Sequence, residues 1–265
     1  MRKSRIWGIW ALAFSLILTA GWVVAEEKGG HGGGHGGHEW GYEGSLGPEH
    51  WGDLKPEFAL CETGTMQSPI DVPTAAAKTA DAPKVDIHYE TIGLRIVNNG
   101  HTVQVNSGSG YITVDGERYD LAQFHFHTPS ENKIDGKAFA GEMHLVHKSA
   151  AGKLAVIGVM LTPGDENSAL ERAWRVAPTA EGPERSVNNV YVDPTAMLPS
   201  SRAYYHWKGS LTTPPCTEGV EWFLMDKPLE VSASALEALE KIMHHNARPP
   251  QPLGARTVLH VGAAN

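Results

Sequence analysis

Basic residues are scarce in this sequence, and they form no cluster. The chain of 265 residues has 22 Lys and Arg against 30 Asp and Glu, which gives a formal net charge of −8. Nucleic acids and anionic lipids are polyanions that attract basic patches. The composition therefore argues against a nucleic-acid-binding protein and against electrostatic attachment to a membrane surface.

An apolar run almost long enough to span a bilayer opens the sequence. It follows three basic residues, Arg2, Lys3 and Arg5, and it ends in Val-Val-Ala25. This pattern predicts an export signal, residues 1–25, that is cleaved after Ala25, with an uncleaved membrane anchor as the alternative. Cleavage removes these three cations and changes the formal net charge from −8 to −11. We expect an exported protein, periplasmic or extracellular, with no stable membrane insertion.

Glycine and histidine dominate the next segment, residues 26–39. So much glycine cannot pack into a core, which predicts a flexible leader. Its histidines, His31, His35 and His38, can bind metal weakly, and a plain solvated linker is the alternative.

Cysteine is almost absent, since Cys61 and Cys216 are the only two. In an exported protein an isolated pair favours a disulfide over two separate buried thiols. The long loop between them predicts a stabilisation of roughly 5 kcal/mol in the chain-entropy treatment.

Short β-rich runs recur after Trp40, and turn dipeptides such as Asn99-Gly100 separate many of them. The predicted strands are Val85–Tyr89, Gly93–Asn98, Thr102–Asn106, Tyr111–Val114, Leu121–His127, Glu142–His147, Leu154–Leu161, Glu221–Leu224 and Thr257–His260. Only two stretches look helical, and each has capping-box spacing, from Ser168 and from Ser234. We therefore expect one mainly β domain, residues 40–262.

Three histidines carry the strongest functional signal. His125 and His127 are separated by one residue in a predicted strand, and His144 lies in the next predicted strand. Residues i and i+2 of a strand point to the same face, so an antiparallel neighbour would bring the three imidazoles to one point. Three imidazoles with an open fourth position are the arrangement of a catalytic zinc site. The alternative is three partly exposed strand histidines.

Two polar residues share the face of these histidines. Gln123 lies two positions before His125, and Glu142 lies two before His144. Both can hydrogen-bond the second ring nitrogen of a ligand and fix its orientation. The intervening phenylalanines point to the opposite face and belong to the core. His147 is three positions beyond His144, so it faces away and is not expected to bind metal.

Segments spread over residues 40–260 match one known family in order. They are Trp40-Gly-Tyr42, Gly47-Pro-Glu-His-Trp51, Gln67-Ser-Pro-Ile-Asp71, Asn98-Asn-Gly-His101, Gln123-Phe-His-Phe-His127, Ala140-Gly-Glu-Met-His-Leu-Val-His147, Leu211-Thr-Thr-Pro-Pro215, Val220-Glu-Trp222 and Asn246-Ala-Arg-Pro-Pro-Gln-Pro-Leu253. The sequence resembles the α-class carbonic anhydrases of the exported, bacterial type. The resemblance implies a single domain with a large, twisted, mostly antiparallel central sheet and short peripheral helices.

The resemblance also implies roles for individual residues. His125, His127 and His144 match the zinc ligands. Thr212 matches a threonine that gives its proton to a glutamate, here Glu131, and so accepts a hydrogen bond from the attacking hydroxide.

The remaining matches describe the cavity around the metal. His101 matches the residue that shuttles protons. Five positions match the apolar wall where carbon dioxide sits: Val146, Val156, Leu211, Val220 and Trp222. Four match polar positions that hold water and bicarbonate: Tyr42, Asn99, Gln104 and Thr213. Cys61 and Cys216 match a pair that is bridged in exported members.

The implied activity is the reversible hydration of carbon dioxide to bicarbonate and a proton. It would use one Zn²⁺ per chain, attack by zinc-bound hydroxide, and His101 as the proton shuttle. Sulfonamides and small anions are the expected inhibitors. Bacterial-type relatives are often homodimers, although no segment of this sequence indicates an interface.

Two features depart from the family pattern, and two other functions were considered. The segment between His127 and Glu131 is short, and Trp207 stands where tyrosine is common. A cupin-type iron or manganese oxygenase is one alternative, because Glu131 has the spacing of a cupin ligand relative to the histidines. A non-enzymatic carbonic anhydrase-like binding protein is the other, although such relatives typically lose a zinc histidine.

Overall fold

The computed structural model describes residues 38–79 and 82–262. These residues belong to one compact unit. The predicted export signal, residues 1–25, and the predicted leader as far as residue 37 lie outside the described residues. Within the described part of the chain, no helix has both the length and the apolar composition needed to cross a membrane.

Strands dominate the described residues. In chain order, β1 to β14 are Asp71–Val72, Val85–His88, Ile92–Asn98, Val103–Asn106, Tyr111–Val114, Glu117–His127, Lys133–Ile134, Gly141–Ser149, Leu154–Pro163, Arg185–Val192, Tyr204–Ser210, Glu218–Met225, Leu229–Val231 and Leu259–Val261. The α-helices α1 to α4 are Trp51–Leu54, Leu60–Thr63, Ser168–Trp174 and Ala233–Met243. Short 3-10 helices cover Gly44–Leu46, Pro56–Phe58, Thr74–Ala76 and Pro194–Met197.

Twelve of these strands form one sheet. Its main path runs β10-β3-β4-β6-β8-β9-β12-β11-β14, while β13 pairs with β9, and β5 joins β2 to β6. Neighbours in this sheet are antiparallel except where β9 pairs with β12 and with β13. The predicted fold class, a mainly β domain with a large and mostly antiparallel sheet and short helices, is confirmed.

Each of the nine predicted strands corresponds to an observed strand, but five observed strands were not predicted. Two of these, β1 and β7, have only two residues each. Strand β11 is buried at six of its seven positions, so it shows no alternation of polar and apolar residues. Strand β10 is mostly exposed, and its register against β3 shifts between Ser186 and Tyr191.

Both predicted helices exist, but their caps lie elsewhere. The cap of α3 is Asn167, whose side chain accepts a hydrogen bond from the Leu170 amide, and Ser168 is already helical. The cap of α4 is Ser232, which accepts from the Ala235 amide. An N-cap residue must precede the first helical residue. Asn167 and Ser232 meet this condition, whereas Ser168 and Ser234 already lie within the helices.

A bulge in β6 sets the faces of the metal-binding segment. The pairing of β6 with β8 shifts register between Leu121 and Gln123, which leaves Ala122 as an extra, exposed residue. Tyr119 and Leu121 are buried in the core before this point, and Phe124 is buried in the core after it. Since one inserted residue reverses the alternation, odd-numbered positions face the core before the bulge and the opposite side after it.

The sheet buries different residues on its two faces. The larger cluster contains Phe124, Phe126, Ile157 and Phe223. Alternating positions on the same strands contribute Val156, Trp222 and their neighbours to a second cluster. The candidate site lies on the face of this second cluster.

Candidate metal centre

The three predicted histidines converge. His125 lies directly opposite His144 in the β6–β8 ladder, and His127 lies opposite Glu142. Opposed residues of an antiparallel pair share a face, so this register points all three rings to one side of the sheet. One ligand nitrogen from each ring lies within 4.8 Å of the other two. The predicted grouping is therefore confirmed.

The second nitrogen of each ring faces a different polar group, and in two of the rings it is hydrogen-bonded. Gln123 Oε1 lies 2.8 Å from His125 Nδ1, and the Asn246 carbonyl oxygen lies 2.8 Å from His127 Nδ1. Glu142 Oε1 approaches His144 Nε2 to 3.0 Å, although at an angle outside hydrogen-bond geometry. These contacts leave Nε2, Nε2 and Nδ1, respectively, for a metal. The buried His127 Nε2 has no hydrogen-bond partner among the described residues, as expected of an atom reserved for an ion.

Two of the three histidines, His125 and His127, are in the form that binds a cation. Burial, followed by the charges of His127 and His144, holds the pKa of His125 well below its usual value. Burial also lowers the pKa of His127, against a smaller opposing effect of the hydrogen bond to Asn246. Both rings are therefore neutral near pH 7, and neutral imidazole is the metal ligand.

Glu142 is a fully engaged carboxylate behind the site. It is completely buried, and its oxygens accept hydrogen bonds from the Glu131 amide at 3.0 Å and from Asn132 at 2.7 and 2.8 Å. Burial raises its pKa, but contacts with His144 and Asn132 outweigh burial and leave the pKa lowered. Glu142 therefore supplies a fixed negative charge to His144.

Only one carboxylate oxygen of Glu131 accepts a hydrogen bond among the described residues. Its Oε1 accepts a hydrogen bond from the Arg248 amide at 2.9 Å, whereas its buried Oε2 has no hydrogen-bond partner among the described residues. That oxygen lies 3.4 Å from His127 Nε2 and 3.9 Å from His144 Nδ1. Burial raises the pKa of Glu131 to about 7, although His144 and then the nearby Thr212 hydroxyl act to lower it. Glu131 is not a member of the group whose ligand atoms converge.

The predicted apolar positions come together beside the histidines. Val156, Val220 and Trp222 belong to one buried cluster, and Val146 and Leu211 pack against it half-buried. The Trp222 ring centroid lies 4.9 Å from that of His144. The arrangement is an apolar wall next to the ring group.

Thr212 and Thr213 lie in the loop between β11 and β12. The Leu211 amide bonds to the Thr217 carbonyl at 2.9 Å, and the Cys216 amide bonds to the Thr213 carbonyl at 2.8 Å. Thr212 is buried and Thr213 is half-buried. Cys216 forms the predicted disulfide with Cys61, which fastens this loop.

His101 follows the tight turn between β3 and β4. The Asn99 side-chain oxygen accepts hydrogen bonds from the His101 amide at 3.0 Å and the Thr102 amide at 2.9 Å, and Gly100 supplies the positive φ of 83°. The His101 ring is half-buried and stacks on Trp40 with 3.8 Å between centroids. Asn99 thus shapes the turn that presents His101.

The two remaining polar positions are also near the site. Gln104 lies opposite His125 in the β4–β6 ladder, and its amide donates to Asn106 Oδ1 at 2.7 Å. Tyr42 packs edge-on against Trp51. Burial and then the charge of Glu131 raise the pKa of Tyr42 well above its usual value.

Sequence reasoning assigned no role to three residues that support the site. Asn246 bonds His127 through its carbonyl and the Thr128 amide through its side chain at 2.8 Å. Asn132 bonds Glu142. The buried Arg248 guanidinium donates to Gln67, Ser68 and Cys61 at 2.7–2.9 Å. For Asn246 and Arg248, the available signal was their position just before Pro249 and Pro250.

The comparisons with known proteins agree with this geometry. A family model described as eukaryotic-type carbonic anhydrase matches residues 46–262. A carbonic anhydrase from Pectobacterium atrosepticum is 45% identical over 221 residues, which cover 83% of this chain and 89% of that protein. One from Nostoc sp. is 41% identical over 222 residues, covering 82% and 84%. The solved complex of α-carbonic anhydrase from Thermovibrio ammonificans with the inhibitor sulfanilamide has a TM-score of 0.81 and 47% identity, covering 86% of this chain and 100% of that one.

The chain therefore belongs to the eukaryotic-type, or α-class, carbonic anhydrase family, and membership implies zinc-dependent, reversible hydration of carbon dioxide. The expectation of an enzyme of this class is confirmed. The cupin alternative is wrong, because the family differs and Glu131 lies outside the converging ligand group.

Proposed function

We propose that His125, His127 and His144 hold one Zn²⁺ and that the chain catalyses reversible carbon dioxide hydration beside it. The observation that carries the proposal is the convergence of one nitrogen from each ring, while the other nitrogen is hydrogen-bonded in His125 and His127 and lies beside the Glu142 carboxylate in His144. When bound, zinc acts as a Lewis acid that lowers the pKa of a coordinated water to about 7, a value established for carbonic anhydrases in general.

Thr212 and Glu131 would orient the attacking oxygen. Glu131 Oε2 can accept only from a nearby donor, and the Thr212 hydroxyl is close enough to lower the Glu131 pKa. With its proton committed to Glu131, the Thr212 oxygen is left to accept a hydrogen bond from the nucleophile. A fixed acceptor selects one orientation of the nucleophile and so lowers the entropic part of the barrier.

The apolar wall would position the substrate. Carbon dioxide carries no charge, so a protein can hold it only in a dry pocket of suitable shape. Val146, Val156 and Val220, with Leu211 and Trp222, provide such a surface next to His144. The half-buried Thr213 and the polar groups of Tyr42, Asn99 and Gln104 are proposed to hold bicarbonate and ordered water.

His101 would remove the proton that each hydration releases. An imidazole ring can accept a proton on one nitrogen and release one from the other. His101 is half-exposed on a turn at the rim, which suits exchange with solvent. Export to a periplasm or outside the cell, inhibition by sulfonamides, and dimer formation remain predictions, the second supported by the sulfanilamide complex of the Thermovibrio ammonificans protein.

Stopped-flow measurement of carbon dioxide hydration, with and without a zinc chelator, tests the proposal. His127→Asn should lower zinc content and activity together, whereas His50→Asn, at an exposed histidine, should change neither. Glu131→Gln should keep zinc and lose activity, since it disrupts orientation and not ligation. Fully metallated protein that leaves hydration at the uncatalysed rate would refute the proposal.

A further inference from the structure

Two rings, those of Trp40 and His38, pack against the ring of His101. Trp40 stacks on one side with an interplanar angle of 6°, and His38 packs edge-on with 4.5 Å between ring centroids. His38 is the last histidine of the predicted leader, yet it contacts the folded domain. Two imidazoles at this distance are close enough to exchange a proton through one bridging water.

The ring of His38 packs against the turn that carries His101. A Cβ atom at Gly100 would lie 2.3 Å from His38 Cε1, so the ring rests against the bare backbone of the turn that carries His101. Its Nε2 lies 3.1 Å from Glu181 Oε2, and both side chains remain partly exposed. A proton on Nε2 would face this carboxylate, and Nδ1 would then be the nitrogen free to accept a second proton.

The surroundings of His101 make a proton there short-lived. Burial, followed by the charge of His38, lowers the pKa of His101 to about 4, with a smaller opposing effect of Glu181. Transfer to it from a group of pKa about 7 is therefore roughly a thousandfold unfavourable at equilibrium. A downstream acceptor whose cation is stabilised by a carboxylate would draw the proton outward.

We propose that His38 and Glu181 form an outer stage of the proton path, which takes protons from His101 and releases them to solvent. This rests on the proposed shuttle role of His101. Neutral His101 takes a proton on one ring nitrogen and gives one from the other to His38 Nδ1. The His38 cation, stabilised by Glu181, then gives that proton to water or buffer, and both rings return to neutral.

The surrounding pocket gives buffer access to this stage. A rim pocket of about 550 Å³ is lined by His38, Trp40, His101, His244 and His245, among others. His245 is exposed and makes no ring contact with His101 among the described residues. It therefore serves as a matched control, being the same residue type in the same pocket without the contact.

The test is stopped-flow hydration in dilute, bulky buffer, where proton export limits kcat, repeated with added imidazole. His38→Ala should lower kcat in dilute buffer and leave kcat/KM unchanged. Added imidazole should restore kcat. Glu181→Gln should lower kcat by up to about fivefold, the worth of a surface ion pair. His245→Ala should match the wild type.

The outcomes separate this inference from the proposed function. If His101→Ala slows kcat while His38→Ala does not, only the outer stage is wrong. If His101→Ala leaves kcat unchanged, the shuttle and the outer stage both fail. If His38→Ala lowers kcat while Glu181→Gln leaves kcat unchanged, His38 merely positions His101, and the relay is refuted.

Discussion

His147 should make the stability of the fold depend on pH. Its ring lies fully buried between the Tyr89 hydroxyl, 2.8 Å from Nε2, and the Ala155 carbonyl, 3.2 Å from Nδ1. The neutral ring fits this pair, because Nδ1–H donates to the carbonyl and Nε2 accepts from the hydroxyl. Burial, opposed by hydrogen bonds to Ala155 and Leu145, lowers the pKa of His147 from 6.5 to about 4.

The sign and size of the effect follow from this difference. As the pH falls below 6.5, the unfolded chain binds a proton at this position before the folded chain does, so stability is lost. With a folded-state pKa of about 4, the loss is about 2 kcal/mol between pH 7 and pH 5 and about 3 kcal/mol by pH 4. Well below pH 4, where the folded chain also binds the proton, this contribution stays constant.

Urea unfolding at several pH values, compared between the wild type and His147→Gln, measures the effect. Both proteins are kept zinc-free with a chelator, so loss of metal in acid does not contribute. The variant has lower stability at pH 7, but the difference between the two proteins should shrink by about 2 kcal/mol on going to pH 5. Parallel stability curves would refute the reasoning, because every other titrating group is shared.

Three further predictions concern stability and metal binding. Reduction of the Cys61–Cys216 bond, which closes a loop of sequence separation 155, should lower the free energy of unfolding by about 5 kcal/mol in urea titrations. Gln123→Leu, which removes the partner of His125, should weaken zinc binding about 10- to 100-fold in a competition assay with a chromophoric chelator. Arg248→Leu leaves three buried oxygen acceptors without a donor and should cost about 3 kcal/mol or more in the same titrations.

Each of these has its own control. Unfolding midpoints that coincide for oxidised and reduced protein would contradict the disulfide estimate. Gln104→Leu also changes an amide beside His125, but this amide bonds Asn106, so zinc affinity should hold; equal losses would remove the special role of Gln123. Arg118→Leu, at an exposed arginine, should cost less than the Arg248 change.

The sequence was sufficient to predict the histidine group because the signal is local. Two histidines at i and i+2 share a face whatever the rest of the fold does, and the neighbouring strand supplies the third through a simple antiparallel pairing. Gln123 and Glu142 follow from the same alternation. Gln123, His125 and His127 all follow the bulge at Ala122, so the bulge does not change the alternation among them.

Contacts between distant segments could not be predicted by periodicity. Asn246 lies 119 positions from His127, which it orients, and Arg248 lies 187 positions from the Cys61 carbonyl that it binds. Nothing in the spacing of these residues indicates the contact. The pairing of Thr212 with Glu131 was likewise available only through resemblance to a family. His38 was assigned to a flexible leader because its surroundings are rich in glycine. That composition gives no indication that its ring packs against a turn of the domain.

The bridge between Cys61 and Cys216 links catalysis to maturation. Cys216 lies just beyond Thr213 in the loop that carries Thr212, so closing the bond anchors that loop to α2, which contains Cys61. A newly made copy in a reducing compartment would lack this anchor and would acquire it only after oxidation. Recombinant material made in a reducing cytoplasm would therefore need an oxidising step before its loop is held as in the mature molecule.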